Sequence, residues 1–93
     1  AGQAEGTEQL FAGQPVTHKG AEGARNADGT LAGSTALLSD CVRNLVHWNI
    51  LSFAEAIQLA TLNPAQFLGF GDRLGQIAPG FVADLVLWHP DTL

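Results

Sequence analysis

The chain has no methionine and no tyrosine, a single cysteine, and only four cationic side chains among 93 residues. Lacking Met and opening on Ala1, it reads as a processed product or a piece of a longer protein rather than a complete reading frame. Cys41 alone cannot close an internal disulfide, so nothing indicates an oxidising compartment and a reducing cytoplasm is the default expectation. Lys19, Arg25, Arg43 and Arg73 are scattered and face nine acidic residues, for a net charge of −5. No basic face exists to neutralise phosphates, which argues against nucleic acid and anionic membranes as partners. The longest uncharged run, residues 56–71, contains Gln58, Asn63, Pro64 and Gln66 and does not suit a bilayer span, and no basic-plus-apolar leader opens the chain. A length of 93 residues suffices for one small domain and excludes a two-domain enzyme. What is present is core-forming: hydrophobic residues make up 46% and the mean hydropathy is +0.14.

Residues 1–33 hold seven of the eleven glycines and show no helical period. Leu10-Phe11-Ala12 and Val16-Thr17-His18 flank Gly13-Gln14-Pro15, which predicts a hairpin, and Asp28-Gly29 marks a second turn. From Ser34 the period changes. Leu38, Cys41, Val42 and Leu45 fall at i, i+3, i+4 and i+7, one helical stripe, with Ser34 as the predicted N-cap and Asn49 as a left-handed stop. Ser52-Phe53-Ala54-Glu55 is a capping box that opens a second helix. Asn63-Pro64 starts a third, which Gly69 ends. Ala78-Pro79-Gly80 is a type II turn signature, and the apolar run Ala83-Asp84-Leu85-Val86-Leu87-Trp88, closed by His89-Pro90, predicts a strand covered on both faces. The fold class expected is α/β, in the order hairpin, three helices, strand.

Few residues carry evident chemistry. His18, His47 and His89 are isolated, with no second ligand at metal spacing, and read as ordinary histidines. Cys41 sits on the helix stripe and reads as a small hydrophobe. Asp84 reads as a structural acceptor, and Trp48 and Trp88 as core anchors. One segment differs. Asp28-Gly29-Thr30-Leu31-Ala32-Gly33-Ser34 sets two glycines and two hydroxyls just ahead of a predicted helix, where free N–H groups would favour an anionic or polar ligand. No Lys follows Gly33, so it is not a P-loop, and a turn entering a capped helix explains the pattern equally well.

DGTLAGS over residues 28–34 joins Val42-Arg43-Asn44-Leu45-Val46, Ala60-Thr61-Leu62-Asn63-Pro64-Ala65, Gly75-Gln76-Ile77-Ala78-Pro79-Gly80 and Ala83-Asp84-Leu85-Val86. Together they resemble the C-terminal portion of the N-acetylglucosamine-6-phosphate deacetylases of the amidohydrolase superfamily. The likeness runs from about Phe11 to Asp91; its tail is shared by many amidohydrolases, whereas DGTLAGS with VRNLV points to the amino-sugar branch. Phe81 departs from the pattern, in which Lys or Arg is usual after Pro-Gly, and Asn49 stands where Gly is common.

The resemblance implies a metal-dependent hydrolase on a (β/α)₈ barrel with a small β-sandwich, residues 1–71 supplying the last of the barrel and 72–93 a returning sandwich strand. It implies a divalent metal, usually zinc, whose ligands, with the catalytic Asp, would lie upstream of Ala1, so that this chain alone holds no catalytic or metal residue. It implies a substrate loop at Leu31, Ala32, Gly33 and Ser34 for a phosphorylated amino sugar, a cytoplasmic setting, the remainder of the barrel as partner, and a parent that is a homo-oligomer. Two other readings stand beside it: another amidohydrolase of the dihydroorotase or deaminase kind, and a free-standing interaction domain without catalysis.

Overall fold

The protein is described by a computed structural model covering residues 2–93. It divides into two compact units, Ala1–Leu37 and Leu38–Leu93.

The first unit is a four-stranded antiparallel meander, with β1 Glu8–Phe11, β2 Gln14–His18, β3 Ala24–Asn26 and β4 Leu31–Gly33 in the order β1-β2-β3-β4. The expected hairpin is therefore the first half of a larger sheet. Phe11 pairs with Gln14, so the β1–β2 connection is the two-residue loop Ala12-Gly13, with φ of 51° and 78°. Positive φ at both positions is what a type I′ hairpin needs to match strand twist. The turn therefore falls one residue earlier than the sequence suggests, because proline's locked negative φ bars Pro15 from it. Pro15 lies in β2 instead. His18 N–H donates to Thr7 O, so by alternation the nitrogen of Pro15 faces β3, whose pairing has already ended at Val16↔Asn26. Its missing donor leaves no gap in the ladder. A 3₁₀ turn, Gly20–Glu22, joins β2 to β3, and Val16 is the buried apolar residue of this unit.

The second unit holds α1 Leu38–His47, α2 Phe53–Ala60 and α3 Leu62–Phe67. α1 ends in a Schellman motif: Ile50 N–H donates to Leu45 O, Asn49 N–H to Val46 O, and Asn49 takes φ of 56°. The capping box forms in full, Glu55 N–H donating to Ser52 Oγ at 3.2 Å and Ser52 N–H to Glu55 Oε2 at 2.9 Å. α3 starts at Leu62 rather than after Asn63, which still leaves Pro64 in the first turn, where its missing N–H has no carbonyl to reach. Gly69 at φ 82° follows its end. Val42, Ala56 and Ala65 are buried, one on each helix. Two of the three are alanines, which lets the helix backbones approach closely.

The tail is tied to these helices by few groups. Trp88 meets Phe53 edge-on at 5.4 Å and lies under the Arg43 guanidinium, also 5.4 Å from the ring centre. Arg43 Nε donates to Leu93 O at 2.6 Å, while its terminal nitrogen pairs with Asp40 at 2.7 Å. The Ala78-Pro79-Gly80 turn forms, with Phe81 N–H donating to Ala78 O and Gly80 at φ 84°. The strand expected over residues 83–88 does not form among the described residues. An apolar run becomes a strand only beside a partner edge, and here it has none; Leu85 and Val86 are exposed and Leu87 is 101% exposed. Trp88 is half-buried, as an anchor should be, but Trp48 is exposed, and so is Cys41, because helix cover falls on the Val42 side of α1.

Candidate functional site

The four residues singled out by the sequence, Leu31, Ala32, Gly33 and Ser34, form the last strand of the meander and its exit. β4 is an edge strand, so its outer row of N–H and C=O groups has no ladder partner among the described strands. It is also bulged. Arg25 pairs with Leu31 and Ala24 with Gly33, so two consecutive residues of β3 oppose positions two apart on β4, and Ala32 is the extra residue. A bulge re-aims side chains and leaves backbone groups unpaired, which suits an edge that receives a ligand.

The turn leading into β4 is locked by side chains. Asn26 N–H donates to Thr30 O, and Gly29, at φ 85°, donates to Asn26 O. Asp28 Oδ1 accepts from both the Thr30 N–H at 3.0 Å and the Thr30 hydroxyl at 2.6 Å, and Asn26 Nδ2 donates to that hydroxyl at 3.0 Å. The Thr30 hydroxyl and then its N–H hold the Asp28 carboxyl below its usual pKa of 3.8.

Beyond β4, Ser34 does not cap α1, which starts at Leu38. Its Oγ accepts from Ala36 N–H at 3.0 Å, and the Thr35 hydroxyl donates to Gly20 O at 2.7 Å. These two bonds lie in the non-helical stretch between β4 and the first helical residue, Leu38. Donors to a ligand at residues 31–34 therefore come from a bulged strand edge, not from a helix N-terminus. The Ala36 bond uses only a lone pair of Ser34 Oγ and leaves the hydroxyl proton to be donated elsewhere.

Two glycines bear on the edge in opposite ways. A Cβ at Gly33 would meet nothing within 4 Å, and its φ is not in the left-handed region. A Cβ at Gly23, by contrast, would lie 2.8 Å from Gly33 O and 2.9 Å from Leu31 Cδ1, and Gly23 has φ of 82°. Neither Gly23 nor Thr35 was marked by sequence reasoning. Gly23 is one of many glycines in its stretch, and Thr35 lies one residue past the motif. A groove of about 490 Å³ on the same sheet is lined by Thr17, Lys19, Glu22, Arg25 and Asn26 and does not include the four candidate residues.

The other candidates stay apart. His18 Nδ1 accepts from Gly20 N–H and His89 Nδ1 from Asp91 N–H, each a local turn contact. Asp84 is exposed. Among the described residues no group of three or more His, Cys, Asp or Glu comes together in a way that could hold a metal ion, and no helix is long and apolar enough to cross a membrane.

Residues 8–93 match the family model described as the amidohydrolase family. A putative N-acetylgalactosamine-6-phosphate deacetylase of Escherichia coli K12 is 40% identical over 86 residues, covering 92% of this chain and 50% of that protein. An N-acetylglucosamine-6-phosphate deacetylase of Haemophilus influenzae is 33% identical over 66 residues, covering 71% of this chain and 17% of its own length. The chain thus spans half or less of the length of these relatives. The crystal structure of the N-acetylglucosamine-6-phosphate deacetylase from Pasteurella multocida superposes with a TM-score of 0.68 at 23% identity, over 87% of this chain and 21% of that one.

Proposed function

This chain belongs to the amidohydrolase family, and from that premise we propose that it is part of a deacetylase that hydrolyses N-acetylglucosamine 6-phosphate to glucosamine 6-phosphate and acetate. Leu31, Ala32, Gly33 and Ser34 are its substrate loop. In this reading residues 1–71 complete a (β/α)₈ barrel and residues 72–93 return to a small β-sandwich. Relatives bearing N-acetylglucosamine- and N-acetylgalactosamine-6-phosphate deacetylase names support the substrate class.

The observation that carries the reading is Gly33. Neither backbone conformation nor packing requires glycine there, since its φ is ordinary and the space above it is open. A ligand that must lie against the strand edge does require it, because any side chain would occupy its place. An N-acetyl amino sugar suits such an edge: its hydroxyls and amide can pair with the unpartnered backbone groups around the Ala32 bulge, and Ser34 Oγ–H can donate to one of its oxygens. These contacts bind and orient the sugar; they do not break the amide.

A divalent metal, zinc in this reading, would polarise the acetamide carbonyl in the complete enzyme. Among the described residues no group of three or more His, Cys, Asp or Glu comes together, so they do not by themselves fit such an ion, and the proposal places its ligands in the remainder of the barrel.

Acetate release from N-acetylglucosamine 6-phosphate by the complete enzyme, native against Gly33→Trp, tests the reading. Metal-dependent turnover is expected in the native protein and loss of it in a variant with an unchanged circular dichroism spectrum. Turnover that survives the tryptophan removes the loop from the site, and a folded, metal-loaded native enzyme without turnover points to a different amidohydrolase.

A further inference from the structure

Resting on the assignment of residues 31–34 as the substrate loop, we infer that the β2–β3 turn over residues 19–23 is the platform that positions this loop, with Gly23 and Thr35 as positioning residues. Neither residue belongs to the loop, yet both attach it to one piece of backbone. The Thr35 hydroxyl reaches back 15 positions to Gly20 O at 2.7 Å, in a part-buried bond. The same carbonyl accepts Gly23 N–H at 3.1 Å, closing the 3₁₀ turn. Gly23 O in turn accepts Lys19 N–H at 2.9 Å, which fixes the turn at its other end. Over this fixed turn Gly33 O passes so closely that a Cβ on Gly23 would stand 2.8 Å from it.

The loop is thereby seated at its middle and fastened at its exit, while the Asn26–Asp28–Thr30 bonds fasten its entry. Seating matters because the bulge leaves Ala32 without a partner on β3. A ladder alone does not fix the height of the edge at this point, and a displacement of about 1 Å in a group that orients substrate is enough to weaken its contacts. Thr35 differs here from its neighbour Ser34, whose hydroxyl bonds only two residues away and shapes a local turn.

Kinetics of the complete enzyme on N-acetylglucosamine 6-phosphate separate positioning from mere support. Thr35→Val removes the hydroxyl and keeps the shape; KM is expected to rise about fivefold, as for loss of one neutral hydrogen bond, with kcat within about twofold because ground state and transition state lose the same contacts. Thr35→Ser, which restores the donor, is expected to return KM to the native value. Gly23→Ala should raise KM further, by pushing Gly33 outward. If Gly23→Ala does not fold, the Thr35 pair carries the test by itself. A Thr35→Val enzyme that melts lower but keeps the native KM overturns the inference, since the hydroxyl is then only a staple. The outcome is separable from that of the loop assignment: if Gly33→Trp abolishes turnover while Thr35→Val leaves KM unchanged, the loop stands and the platform falls. If Gly33→Trp is harmless, both fall.

Discussion

Asp28 shows how much of the site's order rests on single groups. Its carboxylate accepts two bonds from Thr30 and is fully exposed, so its lowered pKa reports hydrogen bonding to the charged form rather than a buried charge. A carboxyl whose folded pKa lies below the unfolded one stabilises the fold at pH above the unfolded value, and that contribution is lost as pH falls through the folded value. The Thr30 amide resonance in a pH titration should therefore shift with a midpoint below 3.8, and Asp28→Asn should abolish that shift. A midpoint at or above 3.8 would show that the Thr30 bonds do not favour the carboxylate. The residues around it divide by what a sequence can carry. Asp28-Gly29-Thr30 announces a turn because the side chain, the glycine and the hydroxyl act within three positions. The need for glycine at Gly23 is silent, because the carbonyl it admits belongs to Gly33, ten positions on.

At the scale of elements, what was legible follows the same rule. The Ser52–Glu55 box and the Asn49 stop close within five or six residues, and both form as read. The meander was legible only as its first hairpin, since β3 and β4 are three residues each, too short to display alternation. The run at residues 83–88 has the composition of a strand, but a ladder is a property of two segments, and among the described residues no partner edge lies beside it. Capping is thus where an element-level prediction is firmest. Ser52→Ala removes the acceptor of Glu55 N–H and the smaller, hydroxyl part of what lowers the Glu55 pKa, while the backbone N–H of residue 52, the larger part, still donates to the carboxylate. The variant is expected to be destabilised by about 1 kcal/mol, a typical value for loss of an N-cap, with Ser52→Asp retaining most of the native stability. Equal melting of native and alanine forms, followed by calorimetry, would mean that α2 is held by its packing alone.

For the whole molecule the decisive quantity is how little apolar surface is covered. Among the described residues only Val16, Val42, Ala56 and Ala65 are buried apolar side chains, whereas Leu10 and Phe11 of the first unit and Phe67, Ile77 and Leu87 of the second stand open, the last three at 90% or more. Soluble monomers rarely leave large contiguous apolar patches uncovered, and burial at about 25 cal/mol per Å² is the main term opposing chain entropy. So small a core argues that the 93-residue chain is marginal by itself, which agrees with the proposal that further parts of a longer protein cover these faces. Expressed alone, the chain should bind a hydrophobic dye strongly and associate as its concentration rises in sedimentation, while the complete enzyme should do neither. A monomeric, cooperatively melting chain that leaves the dye dark would instead mean that these faces need no further cover, and would favour a free-standing interaction domain over a piece of a hydrolase.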